Sequence, residues 1–451
     1  MYRPKDVDAI KNAMPELKDL IQKNKLEKIE PTLNEIKAVN EIIYNFIRDK
    51  KRIVYGGYAQ NKLIGAKKKK DEFYTSLETP DIEFYTPTPI EDLIYLCNIL
   101  YKKKFKRVSG DEGQHHETYK IFVNFEDYVD ISYMPKNIYN NLPYIEIEKM
   151  RFTDPTFMLI DSFRVYADPT TSWWRIEKSF LRTELLSKYY PLPKVKENLK
   201  IKNFNITNDT LLRFIRKQIL YKFKTIINIG YFAYNYYIKK AKLKTLLTSI
   251  PYYEIISVNY NKDIIKIKEI LKQKLGKDLS IKEYYPFFQF TGRSINYLYK
   301  NNIILKVYEN NNRCIVYRPI KKGKSKVGTF QFIILMLLIK LAFYTINKNK
   351  NDELNQKIIL NNMFKAKIEY LEKNNLTVID SSPFKEFTLD CIGTSIDQGR
   401  LKRLLIEDRK KNNKPYVFRY QPTGKDTKIP NYYFENSSGN EIINNKYKLL
   451  K

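Results

Sequence analysis

Apolar positions recur along the chain with two periods, and the switches between them mark its elements. Residues 8–50 repeat apolar positions at helical spacing among mixed charges, which predicts a helical N-terminal segment. "KRIVYGG" (51–57) is a short β-branched run ending on paired glycines, and "YAQNKLIGA" (58–66) continues as helix. The lysine-rich stretch 67–78 is a charged loop, and "TPDIEFYT" (79–86) alternates as a half-buried strand does. In 88–105, Thr88 and Glu91 make a capping box with Pro89 at the first helical position, and Leu93, Leu96, Cys97 and Leu100 form the buried stripe. "TYKIFVNF" and "YVDISYMP" (118–135) read as a hairpin turning at Glu126-Asp127.

From Asp154 the helical period takes over. Asp154-Pro155 and Asp168-Pro169 are helix starts, an Asp cap followed by Pro in the first turn. Residues 208–247 read as one long basic helical segment. "NIILKVYENNNRCIVYRP" (302–319) reads as a hairpin with an Asn turn, followed by an apolar helix over 329–346. A Tyr- and Asn-rich tail closes the chain, and no internal repeat is visible. The predicted class is α+β, with a helical N-terminal lobe (1–50), a central mixed sheet with helices (51–150), a helical region (151–250) and a C-terminal α/β lobe (251–451).

Charge changes this picture more than length does. Lys and Arg number 81 against 50 Asp and Glu, a formal net charge of +31 that favours a polyanionic partner. Three cysteines, far apart and odd in number, predict neither a disulfide framework nor a zinc knuckle, and hence a reducing compartment. His115 and His116 are the only histidines, so a His-rich metal site is excluded and the pair reads as loop. The N-terminus has no apolar run of signal-peptide type. The most apolar stretch, "FIILMLLIKLAF" (332–343), is too short to span a bilayer and carries Lys340, so it reads as a buried core helix and no membrane partner is expected.

The candidate chemistry is an ordered set. Asp81 and Glu83 stand two apart in a strand, so both carboxylates leave one face while Ile82 and Phe84 bury the other. Asp130 sits in the same alternation between Val129 and Ile131. Three carboxylates on neighbouring strands repel unless cations lie between them. Two hard divalent ions ~3.5–4 Å apart would take such oxygen ligands, activate a hydroxyl and stabilise a leaving pyrophosphate. Gly56-Gly57 then lets backbone N–H groups approach a triphosphate at the start of a helix.

The set (strand, Gly-Gly, helix, D-x-E, then a distal Asp) resembles the nucleotidyltransferase superfamily, the polymerase-beta-like fold. The resemblance maps Gly56 and Gly57 onto its turn, Asp81 and Glu83 onto its metal pair and Asp130 onto its third carboxylate. The second turn position is glycine where the family also uses serine, and 24 positions separate Gly57 from Asp81, long for the family because of the Lys67–Lys70 loop. Over residues 50–190 the chain looks like the poly(A) polymerase catalytic subunits of large DNA viruses, of poxvirus and giant-virus type. The segment "DPTFMLIDSFRVYADPTTSWWRIEKSFLRTELLSKYY" (154–190) adds to that likeness. It implies a template-independent RNA 3′-adenylyltransferase using ATP and two divalent ions (Mg2+ or Mn2+) held by Asp81, Glu83 and Asp130. It also implies a C-terminal lobe that supports RNA binding, a partner subunit or a homodimer, and a place inside the infected cell, in the virion and the host cytoplasm. A uridylyl- or CCA-adding enzyme and a catalytically silent RNA-binding subunit are the alternatives, and adenine selectivity rests on the resemblance alone.

Two further groups carry expectations. Arg175, Lys178 and Arg182 share one helix face and suit a triphosphate clamp or a solvated basic face. Arg213, Arg216, Lys217, Lys222 and Lys224 interleave with Phe214, Tyr221 and Phe223 in a pattern that suits single-stranded RNA, although the apolar members read first as core. Trp173 and Trp174, the only tryptophans, read first as core packing and second as a base-stacking pair.

Overall fold

The computed structural model describes residues 2–29, 31–74, 78, 80–196, 199–201, 209–310, 312–320, 323–413, 418–425 and 434–450. It is an α+β protein whose chain divides into two compact units: 1–134, 144–153 and 398–434 in the first, the remainder in the second.

The first unit opens with α1 (Pro4–Lys28) and α2 (Leu33–Asp49), which buries Val39, Ile43, Phe46 and Ile47 on one side. Its sheet is built from β1 (Ile53–Tyr55), β2 (Ile82–Thr86), β3 (Ser109–Glu112), β4 (Thr118–Val123), β5 (Glu126–Tyr133), β6 (Tyr144–Ile147) and β7 (Met150–Thr153). Helix α3 (Gly56–Lys67) follows β1, and α4 (Pro89–Lys102) follows β2 and buries the expected stripe. The strand order is β3-β4-β5-β2-β1-β7-β6, with β2–β5 and β1–β7 parallel and the other pairs antiparallel. Two local readings are corrected. The hairpin turns at Asn124 and Phe125, both at positive φ, because Val123 already pairs with Glu126. The Thr88 capping box does not form, since the hydroxyl accepts from Arg52 while Arg52 also pairs with buried Asp92.

The second unit runs through α5 (Lys136–Tyr139), α6 (Pro155–Tyr166), α7 (Pro169–Tyr189), α8 (Asp209–Ile215), β8 (Ile226–Ile229), α9 (Gly230–Lys240), β9 (Tyr253–Ser257) and α10 (Tyr260–Leu275). β10 (Leu279–Tyr284), β11 (Ser294–Tyr299), β12 (Asn302–Glu309), β13 (Ile315–Ile320), β14 (Ser325–Gly328), α11 (Phe330–Ile346), α12 (Lys350–Lys373) and β15 (Cys391–Ile392) follow. Asp154 caps α6 through the Thr156 and Phe157 amides. The long helix expected over 208–247 is broken: α8 runs into a π-turn at Arg216–Leu220, and the β-branched run at 226–229 forms a buried strand. β-Propensity with full burial defeats the helical period there. The hairpin expected over 302–319 is also absent, because β12 pairs with β11 and β9 whereas β13 pairs with β14 and β15. Cys314 and Cys391 are joined by a disulfide, against the expectation from their separation, because the β13–β15 pairing brings them together. Helix α11 is buried along most of its length, and among the described residues no helix is long and apolar enough to cross a membrane.

The order of the second sheet is β10-β11-β12-β9-β8-β14-β13, with β15 at its end. Subtracting seven from each number reproduces the order of the first sheet, and every pairing has the same sense. The chain therefore contains the same α/β frame twice, an internal repeat that its residues do not display. Finally, α13 (Gln398–Lys411) and β16 (Arg419–Tyr420) belong to the first unit. β16 extends the sheet beyond β3, and Arg409 of α13 pairs with nearly buried Glu112 at 2.9 Å.

Candidate active site

The carboxylates of the first unit are positioned by strand register. Tyr55 at the end of β1 faces Glu83 of β2, Glu83 faces Asp130 of β5, and Asp130 faces Lys120 of β4. One row thus crosses four strands of the sheet. Asp81 lies one residue before β2, exposed, and by alternation belongs to the face of Glu83. The β1 end is fixed around this row. Tyr55 stacks on Tyr85 with ring centroids 3.9 Å apart, its hydroxyl lies 2.7 Å from the Ser132 hydroxyl, and Thr153 donates to the Val54 carbonyl at 3.0 Å.

The glycine pair fits this row closely. Gly56 has φ +72°, and a Cβ on it would lie 1.6 Å from Glu83 Oε2. Glycine is therefore required twice, for the left-handed backbone and for the space the carboxylate occupies. The Gly57 N–H, at the start of α3, donates to Glu83 Oε2 at 3.3 Å. In this arrangement the glycine turn holds a carboxylate against a helix N-terminus.

Sequence reasoning passed over Lys120. Its Nζ lies 2.6 Å from Asp130 Oδ1 and also pairs with Asp127. The signal was present, since Lys120 is the one charged residue of β4, opposite the proposed third carboxylate. Burial pushes the Asp130 carboxyl above its ordinary pKa, and Lys120 opposes that rise. Burial pulls the Lys120 ammonium down, but Asp127 and Asp130 outweigh it and hold it above its ordinary value. A half-buried carboxylate at this point calls for a cation, and Lys120 stands in for one. Among the described residues, no three acidic, His or Cys side chains converge into a metal cluster as they stand. The donor set itself, hard oxygens along one register row beside a glycine-cleared space, fits divalent ions.

The second unit shows the same frame with the charges changed. Gly230, at φ +60°, opens α9, and a Cβ there would lie 2.7 Å from the Glu254 carboxyl carbon. Glu254 faces Ile229 on one side and Lys306 on the other, so Lys306 holds the place that Asp130 has in the first unit. Tyr252 stands two residues before Glu254, where Asp81 stands before Glu83. Glu254 is 1% exposed and is neutralised from α11 by Lys340, whose Nζ lies 2.5 Å from Oε1. Burial pushes Lys306 down to about 8, with Glu254 acting against the shift and Lys340 with it. One carboxylate among two ammonium groups has no need of a metal ion.

Arg175, Lys178 and Arg182 lie on α7, and Arg213, Arg216 and Lys217 on α8 and its π-turn, all in the second unit. Arg213 is exposed and ion-paired with Asp209, Arg216 is half-buried, and Lys217 is exposed. Phe214, Tyr221 and Phe223 pack against the core cluster of that unit, as expected of core residues. Trp173 and Trp174 depart from expectation: they are 71% and 59% exposed, with ring centroids 6.2 Å apart in an edge-to-face arrangement. Helix α7 buries only Pro169 and Leu186, and both indoles stand on its exposed side.

Comparison with known proteins gives the family. Residues 41–172 match the family model of the poly(A) polymerase catalytic subunit. Residues 184–451 match the model described as the C-terminal part of the Acanthamoeba polyphaga mimivirus putative poly(A) polymerase catalytic subunit. The mimivirus putative catalytic subunit is 34% identical over 493 residues, covering 100% of this chain and 84% of that protein. Its African swine fever virus counterpart (strain Badajoz 1971 Vero-adapted) is 31% identical over 188 residues, 40% of this chain and 39% of that protein. The crystal structure of the Megavirus polyadenylate synthase superposes with a TM-score of 0.93 at 35% identity, covering 99% of this chain and 94% of that one. The chain belongs to the poly(A) polymerase catalytic subunit family of large DNA viruses.

Proposed function

We infer that this chain is a template-independent polynucleotide adenylyltransferase that transfers AMP from ATP to the 3′-hydroxyl of single-stranded RNA. The observation that carries the reading is the Gly56–Glu83–Asp130 register row, present with acidic residues in the first unit and with its charge reversed at Lys306 in the second. The RNA 3′-oxygen forms a bond to the α-phosphorus of ATP, the bond from that phosphorus to the β-bridging oxygen breaks, and pyrophosphate leaves with its electron pair. Asp130 is the group that accepts the hydroxyl proton, and Lys120 keeps its carboxylate oriented in the sheet. The Gly57 N–H at the start of α3, which here donates to Glu83 Oε2, would turn to a phosphate once that carboxylate holds a metal ion. Asp81, Glu83 and Asp130 would hold two divalent ions, Mg2+ or Mn2+, which when bound would supply charge neutralisation on the α-phosphate oxygens and the leaving pyrophosphate. The cations of α7 and α8 bind phosphate. A homodimer would extend the basic surface along which a growing tail is held, and light scattering checks that assembly.

Extension of an oligo(A) RNA with each nucleoside triphosphate separately, in Mg2+ or Mn2+, tests the reading. AMP addition is expected to dominate, and Asp81→Ala, Glu83→Ala and Asp130→Ala are each expected to abolish it while the fold survives. Near wild-type addition by any one of the three would show that the carboxylates are misassigned. Preferential UMP addition would favour the uridylyltransferase reading.

A further inference from the structure

Two adjacent indoles left in water on a stable helix need a reason, because tryptophan side chains are among the largest apolar groups a protein carries. On α7, Trp174, Lys178 and Arg182 stand at intervals of four, so they form one stripe, and Leu181 (56% exposed) lies beside it. Trp173 and Phe180 (46% exposed) stand seven apart on the neighbouring stripe, with Arg175 next to the indole pair and Glu177 as the acid between. The face thus alternates aromatic planes with cations over about three turns.

We propose that this face of α7 is a stacking platform for the unpaired bases of the RNA strand, with Trp173 and Trp174 against the bases and Arg175, Lys178 and Arg182 along the phosphates. The proposal rests on the adenylyltransferase reading for the identity of the strand and for the α7 cations as phosphate contacts, and adds the two indoles, to which that reading gives no role. Charge selects the occupant. A second copy of the chain, itself at +31, would bring these cations against their own images, whereas a single strand presents phosphates to the cations and π-faces to the indoles. The same cations could serve the triphosphate of ATP, but two aromatic planes side by side suit consecutive bases of a strand better than one adenine.

The chain has only these two tryptophans, so its intrinsic tryptophan emission reports on this face alone. In metal-free buffer, where no addition occurs, oligo(A) is titrated into the full chain while emission and the anisotropy of end-labelled RNA are recorded. Saturable quenching is expected with oligo(A), none with ATP alone, and none with an abasic sugar-phosphate oligomer of equal length that still binds. Replacing either indole by alanine is expected to weaken oligo(A) binding by about 5- to 150-fold, the range for loss of one base stack. The same change should leave abasic binding unaltered, and Trp→Phe at the same position should restore most of the affinity. Unchanged emission at saturating oligo(A), or wild-type RNA affinity in Trp173→Ala/Trp174→Ala, overturns the proposal. Equal quenching by ATP alone assigns the platform to the nucleotide, and a shift of oligomeric state in the double variant assigns it to a second copy; both overturn it too. Because the readout needs no catalysis, its failure is separable from a failure of primer extension.

Discussion

The repeated frame allows one perturbation to be made twice, at Gly56 and at Gly230. Each glycine opens a helix at positive φ and abuts a carboxylate of the next strand, so alanine imposes the same left-handed backbone, about 1–2 kcal/mol, at both. The rest of the effect differs. At Gly56 the new Cβ would lie 1.6 Å from Glu83 Oε2, but Glu83 is only half-buried and its side chain can swing toward solvent. For a unit of this size the expected loss is ~2–8 °C in Tm. At Gly230 the carboxylate in the way is Glu254, 1% exposed and bound to Lys340, and breaking such a buried pair adds about 3–5 kcal/mol. Function runs in the opposite order. Displacing Glu83 removes an oxygen donor from the catalytic row, and losing ~3–4 kcal/mol of transition-state stabilisation slows AMP addition about 10²- to 10³-fold. Displacing Glu254 touches no reacting group. Thermal melts and single-turnover primer extension below either melting temperature should show Gly230→Ala as the less stable protein and Gly56→Ala as the slower one. Wild-type addition by Gly56→Ala, or a rate loss in Gly230→Ala equal to that in Gly56→Ala, would refute the assignment of catalysis to the first unit.

Other expectations follow from charge and covalent structure. The logarithm of RNA affinity should fall with the logarithm of salt concentration by about 0.7 per phosphate neutralised, and removing the three α7 cations together should reduce that slope by about 2; an unchanged slope in the triple variant would place the phosphates elsewhere. Lys340→Met leaves Glu254 buried beside Lys306 alone and should cost about 3–5 kcal/mol in denaturant unfolding, with wild-type stability contradicting the buried pair. The Cys314–Cys391 bridge closes a loop of 77 positions, for which the chain-entropy estimate is about 4.5 kcal/mol, so Cys314→Ser should lower the urea midpoint in non-reducing buffer and make it insensitive to added reductant. A wild-type midpoint that reductant leaves unmoved would show that the bridge does not form in solution.

The row proposed as catalytic was legible because it depends on short-range rules. A β-branched run before Gly56-Gly57, the alternation around Glu83 and the alternation around Asp130 each needed only a few neighbouring residues, and parallel pairing of β2 with β5 then aligned them. What could not be read was non-local. Lys120 matters because β4 lies beside β5 with Lys120 opposite Asp130, a register no local pattern states. The strand at 226–229 sat inside a helical period and was recovered only by its burial in the second sheet. The return of α13 and β16 to the first unit depends on contacts nearly 300 positions away along the chain, such as Arg409 with Glu112. The tryptophans failed in the other direction, since composition alone favours burying an indole and only the exposed face of α7 contradicts it.

The repeat shows how little of a catalytic site resides in the frame that carries it. Both sheets use the same seven-strand order, the same positive-φ glycine before a helix and the same glutamate beneath it. Five aligned positions separate them: Tyr55 is matched by Ile229, Gly57 by Tyr231, Asp81 by Tyr252, Asp130 by Lys306 and Lys120 by Asn296. In the first unit the row is left acidic, with Lys120 as its sole internal cation among the aligned positions, so it keeps a demand for positive charge that divalent ions can meet. In the second the row carries its own excess of ammonium, supplied by Lys306 and by Lys340 from α11, and closes over it with aromatic side chains such as Tyr252 and Tyr344. Self-neutralisation stabilises a core but removes the reason to bind an ion. The sign of one residue opposite the glutamate, acidic at 130 and basic at 306, therefore separates a row that still calls for cations, as the proposed phosphoryl chemistry requires, from one that neutralises itself.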